Sequence, residues 1–382
     1  MIRKICVVIT SRPSYSRIKM ALVAIKRHPD LHLQLVVTGS ALLEKYGRVI
    51  HQIENDGFEI DDKLFNILEG NDPVTSAKTT GLAMIELSTL LARLQPDMVI
   101  TIADRYETLA NAAAAAYINI PLVHIQGGEI TGNIDEKVRH AVTQLSDFHF
   151  VASENAKARV LRMRDGGNNV YNTGCPSIDI AALVANQQTL DFDPFAEYGG
   201  VGPTFDHQKG YLVVMQHPVT NEYQSAQNQI LYTCEAIATL GLPTFWFWPN
   251  PDSGTEEIAK GLRTFREVNP DLPIHFFKNM EPVHFLKLLK NASCLIGNSS
   301  VGIRECAFLG IPVVNIGRRQ TGRERGANVI DVDHNVEAIS NAITFQIAHG
   351  AYQPDFMYGK GNSGEKIASL LATLPLNSLT HI

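Results

Sequence analysis

Two stretches of this chain set carboxylates beside guanidiniums where a strand gives way to a helix. Asp104-Arg105-Tyr106-Glu107 follows the apolar run Met98–Ala103. His124-Ile125-Gln126-Gly127-Gly128-Glu129 closes the next run and leads to Asp135, Arg139 and His140. A carboxylate next to a guanidinium at a strand tip suits proton transfer beside a phosphate-bearing ligand. Asp135 and Arg139 are four residues apart, hence on one face of a helix. Taken singly, each pair also reads as a helix cap or a surface ion pair worth about 0.2–0.5 kcal/mol. Their concentration after adjacent strands favours a site. Gly127-Gly128 is expected to let backbone approach a ligand closely. His124, inside an apolar run, reads as a hydrogen-bonded core histidine.

A second set of segments suits an anion. Thr10-Ser11-Arg12-Pro13-Ser14-Tyr15-Ser16-Arg17 is a polar turn running into a helix, where free N–H groups, hydroxyls and guanidiniums gather. Later strands end in His217-Pro218, in Asn250 and in Gly297-Asn298-Ser299-Ser300-Val301-Gly302-Ile303-Arg304-Glu305. Small hydroxyl residues and a glycine at such a turn present N–H donors to a phosphate. Glu305, placed one turn into the helix, has the two acceptors that a ribose diol requires. The alternative is a capping turn with Glu305 favourable near a helix start. Gly317-Arg318-Arg319 and Arg323 add cations after the next strand.

The elements that must position these residues alternate along the chain. Candidate strands are Ile5–Thr10, Leu33–Thr38, Met98–Ala103, Pro121–Ile125, Phe148–Ala152 and Val170–Thr173, then Tyr211–Gln216, Thr244–Trp248, Ile274–Phe277, Ser293–Gly297 and Pro312–Ile316. Amphipathic or Ala/Leu-rich segments lie between them, so parallel sheets covered on both faces are expected. Residues Thr189–Gly210 are rich in Gly and Pro and read as a domain-crossing linker. The expectation is an α/β protein of two Rossmann-like domains facing a cleft. They are residues 1–186 joined by a returning C-terminal helix within 362–382, and residues 187–361. At 382 residues the chain has the length for two to three domains at about 150 residues each.

Several classes are excluded. Net charge is −6, so no basic field draws the chain to nucleic acid or anionic lipid. No apolar run reads as a signal peptide or a membrane span. The five cysteines, Cys6, Cys175, Cys234, Cys294 and Cys306, are widely spaced without a Cys-x-x-Cys pair, which fits a reducing cytoplasm. The thirteen histidines lack metal-ligand spacing, and neither metal nor cofactor is expected. Gly359-Lys360-Gly361-Asn362-Ser363-Gly364 matches the dinucleotide pattern but has no strand before it and no room for a βαβ unit after it. It is expected to be a flexible loop before the last helix.

In their order, these motifs resemble the hydrolysing UDP-N-acetylglucosamine 2-epimerases over nearly the whole chain. The resemblance rests on Ser11-Arg12-Pro13-Ser14-Tyr15-Ser16, Ala103-Asp104-Arg105, His124-Ile125-Gln126-Gly127-Gly128-Glu129, Ile134-Asp135-Glu136, Arg139-His140, Gly174-Cys175-Pro176-Ser177, Gln216-His217-Pro218-Val219-Thr220, Gly297-Asn298-Ser299-Ser300, Arg304-Glu305 and Asn315-Ile316-Gly317-Arg318-Arg319. It implies a GT-B type fold holding UDP in the cleft. The implied UDP-sugar contacts are Arg12, Ser16, Arg105, Gln126, His217, Asn250, Ser299, Ser300, Glu305 and Arg319, with Ser299, Ser300 and His217 toward the diphosphate and Glu305 on the ribose. Asp104 and Asp135 would handle protons, with Arg139 and His217 completing the catalytic set. The implied reaction eliminates UDP from C1 with loss of the C2 proton, then hydrates the glycal, releasing the free 2-epimer. Many relatives carry Glu where this chain has Gln126. An amide cannot act as a base at neutral pH, so Glu129 joins the candidates on chemical grounds. UDP-N-acetylglucosamine is the favoured substrate, and a UDP-2,4-diacetamido-2,4,6-trideoxyhexose is the alternative. A GT-B glycosyltransferase, a non-catalytic nucleotide-sugar sensor and a non-hydrolysing epimerase are the other readings. A homo-oligomer, dimer or tetramer, is expected.

Overall fold

The computed structural model describes residues 2–44, 49–68, 73–102, 104–131, 134–249 and 254–376. The first half runs β1 (Arg3–Ile9), α1 (Arg12–Arg27), β2 (Leu31–Thr38), α2 (Val49–Asn55), β3 (Asp62–Leu64), α3 (Pro73–Leu94), β4 (Met98–Ile102), α4 (Tyr106–Tyr117), β5 (Leu122–Ile125), α5 (Ile134–Leu145), β6 (Phe148–Val151), α6 (Glu154–Met163), β7 (Val170–Asn172) and α7 (Pro176–Val184). The second half runs α8 (Pro194–Tyr198), β8 (Leu212–Met215), α9 (Ala226–Leu240), β9 (Thr244–Phe247), α10 (Thr255–Val268), β10 (Ile274–Phe277), α11 (Pro282–Lys290), β11 (Cys294–Gly297), α12 (Ser300–Ile303), α13 (Glu305–Leu309), β12 (Val313–Ile316), β13 (Val329–Val332) and α14 (Val336–His349), before α15 (Ser363–Thr373).

Two parallel sheets result, of order β3-β2-β1-β4-β5-β6-β7 and β10-β9-β8-β11-β12-β13. The central strands are short, apolar and buried along most of their length, as a sheet covered on both faces requires. Strand order reverses between β1 and β4 in the first sheet and between β8 and β11 in the second. Ligands of open α/β sheets gather beyond the strand ends at such reversals. The residues following these four strands are Thr10-Ser11-Arg12, Asp104, His217 and Asn298-Ser299. The candidate residues therefore cluster where each sheet's topology makes room for a ligand.

The chain divides into one unit of 1–129, 135–179 and 357–382, and another of 130–134 and 180–356. These limits differ from the expected 186/187 and 361/362. The reason is a polar fastening inside the first unit. Cys175 N–H donates to the Tyr358 carbonyl at 2.7 Å, and the Asp179 carboxylate accepts from Ser363 N–H at 2.9 Å and Gly364 N–H at 2.7 Å. Asp179 thus caps α15, which returns to pack on α1 in the core that also holds Ile367, Ala368 and Leu371. A Cβ at Gly364 would sit 2.6 Å from the Met20 carbonyl, so only glycine permits this approach. The glycine-rich segment 359–364 is thereby part of a packed junction and not a free loop, with Gly359 lying against Gly174.

Other elements depart from expectation. Strands β3 and β13 escaped notice because they are short edge strands of mixed polarity. Helix α1 starts at Arg12 and not Arg17, because Ser11 and Ser14 form a reciprocal capping box around Pro13. The segment 189–210 is more than a linker. It contains α8, and Val201 bridges Phe276 on the edge strand β10.

The Asp179 cap is directly testable. Asp179→Ala leaves two buried N–H groups without their acceptor and is expected to cost about 1–3 kcal/mol, read as a lowered unfolding midpoint in urea. An unchanged midpoint would show that the cap contributes nothing.

Candidate active site

In the first domain the site is built around one buried cation. Arg139, on α5, is 1% exposed. Its guanidinium hydrogen-bonds the Asp104 carboxylate beyond β4 and donates to the Glu129 carbonyl beyond β5 at 2.6 Å. Burial opposes its charge, but Asp104, Glu129 and Asp135 overcome that effect and hold its pKa above the ordinary arginine value. Asp135 stands in the first turn of α5, where the helix N-terminus favours a negative charge. Four of the sequence candidates, Asp104, Glu129, Asp135 and Arg139, therefore form one electrostatic cluster. The surface ion-pair reading of Asp135 and Arg139 fails because Arg139 is inside the protein.

Arg105, and not Asp104, occupies the N-cap position of α4, without a side-chain cap bond of its own. The Asp104 carboxylate also lies 4.0 Å from Arg17 on α1. Two guanidiniums beside one carboxylate favour its ionised form. Arg17 was absent from the expected site residues. It lies 87 positions before Asp104, and only the parallel register of β1 with β4 brings α1 and the β4 tip together.

The remaining first-domain candidates divide by how far their groups are already used. Arg105 donates to the buried Glu107 at 3.2 Å and lies over the Tyr106 ring at 5.5 Å. Burial pushes the Tyr106 phenol up, with Glu107 adding to the shift and Arg105 opposing it. Ser11 and Ser14 spend their hydroxyls on capping, while Arg12 and Ser16 stand in the first turn of the helix that they cap. Desolvation lowers the pKa of the Arg12 guanidinium. Gly127 and Gly128 are required by packing within the protein. A Cβ on Gly127 would meet His124 Nδ1 at 2.9 Å, and one on Gly128 the Ala156 carbonyl at 2.4 Å. Gln126 adopts φ +66° and is buried, its amide donating to Cys175 Sγ at 2.8 Å. His124 is the buried core histidine that its apolar surroundings suggested.

In the second domain an unanticipated residue organises the site. The Asn298 side chain accepts from His217 N–H at 2.8 Å and donates to the His217 carbonyl at 2.8 Å. Its own carbonyl accepts from Arg319 at 3.4 Å and Gln320 at 2.9 Å. One asparagine thus ties together the loops after β8, β11 and β12. Gly297 makes the approach possible at φ +129°, because a Cβ there would lie 2.2 Å from the Met215 carbonyl. His217 is buried in this knot. Ser299 caps α12 by accepting from Val301 N–H at 3.4 Å, and Ser300 is the first helical residue. The helix breaks at Arg304, so Glu305 opens α13 and does not sit one turn inside a single helix. Gly302 packs against Val313 and is not at the turn's open face. Asn250 lies outside the described residues.

Residues 23–372 match the family model described as UDP-N-acetylglucosamine 2-epimerase. The chain is 34% identical to the UDP-N,N'-diacetylbacillosamine 2-epimerase (hydrolyzing) of Legionella pneumophila, over 99% of this chain and 98% of that protein. It is 30% identical to a UDP-N-acetylglucosamine 2-epimerase of Neisseria meningitidis, over 97% of this chain and 95% of that one. Among solved structures, the UDP-GlcNAc 2-epimerase from Neisseria meningitidis bound to UDP-GlcNAc superposes with a TM-score of 0.79 at 19% identity, covering 96% of this chain and 99% of that one. The S. aureus MnaA–UDP structure gives a TM-score of 0.77 at 18% identity, covering 100% and 98%. At these identities the structures establish the fold, two Rossmann-like domains of GT-B type.

The central place of Arg139 has a measurable outcome. Arg139→Leu removes the buried cation that the Asp104 carboxylate pairs with, and is expected to destabilise the protein by about 3–5 kcal/mol. Denaturant unfolding measures it, and a loss under about 1 kcal/mol would fit a surface pair instead.

Proposed function

The chain belongs to the UDP-N-acetylglucosamine 2-epimerase family, and on that footing we propose that it is a hydrolysing 2-epimerase of a UDP-linked 2-acetamido sugar, releasing UDP and the free 2-epimer. The observation that carries the proposal is the buried Arg139 with Asp104, Glu129 and Asp135 around it. Abstraction of a C2 proton and its return on the opposite face need at least two acid–base groups. Asp104, flanked by Arg139 and Arg17, suits the base. Asp135 and Glu129 are the further proton-handling groups. In the second domain, His217, Ser299, Ser300 and Arg319 would receive the diphosphate, and Glu305 the ribose hydroxyls. Arg12, Ser16 and Arg105 would add positive charge and donors on the sugar-phosphate side, with Gln126 and Asn250 as further contacts. Charge growing on the leaving UDP is then met by preorganised donors.

UDP-N-acetylglucosamine is the first substrate to try. The diacetamido sugar is a second reading, favoured by the 34% identity to the Legionella protein of that description. A glycosyltransferase of the same fold would need an acceptor, so release of UDP from nucleotide sugar and water alone separates the two.

The test is proton NMR of the reaction in D2O with each sugar. Free 2-epimer carrying deuterium at C2, together with UDP, is expected. Intact UDP-linked epimer would indicate the non-hydrolysing reaction, and UDP binding without turnover would indicate a sensor. Asp104→Asn and Asp135→Asn should each lower kcat about 100-fold or more, and near-normal rates in both would remove them from the chemistry. His217→Ala should weaken UDP binding, and an unchanged Kd would remove it from the site.

A further inference from the structure

Behind the carboxylate cluster, a polar row crosses the otherwise apolar core of the first domain. Thr101 on β4, His124 on β5 and His149 on β6 are register partners across the parallel strands, and all three are buried. Helix α5 lies over this row. Its Thr143 hydroxyl donates to the Arg139 carbonyl one turn earlier, at 2.9 Å. The same oxygen lies 3.2 Å from His124 Nδ1. The hydroxyl thus stands between two acceptor-capable groups, the Arg139 carbonyl and His124 Nδ1, with the direction of the histidine bond following the imidazole tautomer. A continuous chain follows, from imidazole to hydroxyl to the carbonyl of the residue whose guanidinium holds Asp104.

Gly127 belongs to the same device. A Cβ there would sit 2.9 Å from His124 Nδ1 and 3.0 Å from Thr143 Oγ1, so any other residue would push helix and strand apart. His149 adds no competing charge. Burial, with His124 and Arg164 contributing, pushes its pKa down to about 3. The charged groups facing the cluster are Arg17 from α1, Asp135 and Arg139 from α5, and Glu129 from the loop after β5.

We propose that His124 is a positioning residue: its Nδ1, hydrogen-bonded to the Thr143 hydroxyl, seats α5 on β5 so that Arg139 meets Asp104. The inference rests on the reading of Asp104 as the base. It assigns a task to a histidine that touches no reacting atom. A buried polar network of this kind fixes one arrangement because every alternative leaves a polar group unsatisfied. A helix only slightly displaced would leave Asp104 further from its cation and the reacting geometry relaxed.

The test compares His124→Leu and Thr143→Val, which break the chain, with His124→Asn and Thr143→Ser, which keep a hydrogen-bonding group and a hydroxyl at the same places. Broken-chain variants are expected to lose roughly 10- to 100-fold in kcat, with KM within about twofold because substrate binding is not what they alter. The acid limb of their kcat–pH profile should move to higher pH, since a carboxylate that loses its guanidinium ionises less readily. The conservative variants should keep the wild-type limb and most of kcat. A folded Thr143→Val protein with wild-type kcat and acid limb overturns the proposal, as does His124→Asn behaving like His124→Leu. Should His124→Leu not fold, the threonine pair decides. A wild-type protein that turns over neither UDP-sugar defeats the assigned reaction and this inference with it. Turnover with all four variants unaffected defeats this inference alone.

Discussion

A guanidinium buried to 1% exposure is the constraint around which the first domain is arranged. An arginine remains charged, and a buried charge without partners is prohibitively unfavourable. The fold must therefore deliver acceptors to Arg139 from several directions at once. It does so with Asp104 from beyond β4, the Glu129 carbonyl from beyond β5, and Asp135 from the same helix. These requirements fix how far β4 and β5 extend and where α5 begins. The same requirements bring together the groups to which the proposed function assigns proton transfer. Under that proposal, stability and chemistry draw on one set of charges, so a change that weakens either is expected to be felt in both.

The second domain meets a related problem with a neutral side chain. Three loops must be held so that their side chains and N–H groups converge, although loops have little regular hydrogen bonding of their own. Asn298 supplies the missing bonds with a side-chain amide that both donates and accepts, while its backbone carbonyl serves Arg319 and Gln320. Gln320 in turn accepts from Arg323 at 2.8 Å, which extends the network further along the loop after β12. Gly297 is the geometric precondition, because the β11 backbone must pass against the Met215 carbonyl. In both domains a single buried polar side chain at a strand-order reversal does the organising.

Central strands and the alternation of strand with helix were legible in the sequence, because short buried apolar runs advertise themselves. The chemically distinctive segments were legible too, since Asp104, Glu129, Asp135 and Arg139 sit in compact motifs. What the sequence hid depends on long-range contact. Asp179 reads as an ordinary helix residue until its carboxylate is found on α15, 184 and 185 positions away. Arg17 acquires meaning only from the pairing of β1 with β4. The packing role of Gly127-Gly128 was hidden for a related reason. Adjacent glycines signal close approach, but periodicity cannot name the protein groups that approach, here a histidine and a helix carbonyl. Edge strands β3 and β13 carry mixed patterns and escape notice for want of burial.

Gln126 shows how local structure constrains mechanism. Its left-handed backbone turns the chain at the end of β5, its N–H donates to the Phe150 carbonyl at 2.9 Å, and its side-chain amide is occupied with Cys175. Cys175 Sγ lies in turn 2.9 Å from Ser177 Oγ, so the partners at this end of the sheet are a thiol and a hydroxyl, with no cation among these contacts. An amide suits them because it can donate to sulfur while uncharged. A carboxylate in its place would have to be protonated to do the same, and a protonated acid is not a base. A neutral side chain at this position therefore agrees with its immediate surroundings. Under the proposed function, the base is then sought on the side of the domain where guanidiniums are present, at Asp104 between Arg139 and Arg17. Asp135 and Glu129 approach the same cation from a helix start and from a loop, so the second proton-handling group has candidates on elements other than the one that carries Asp104. The charge missing at position 126 does not remove the chemistry from this domain. Under the proposed function, it points that chemistry to the cluster that Arg139 holds.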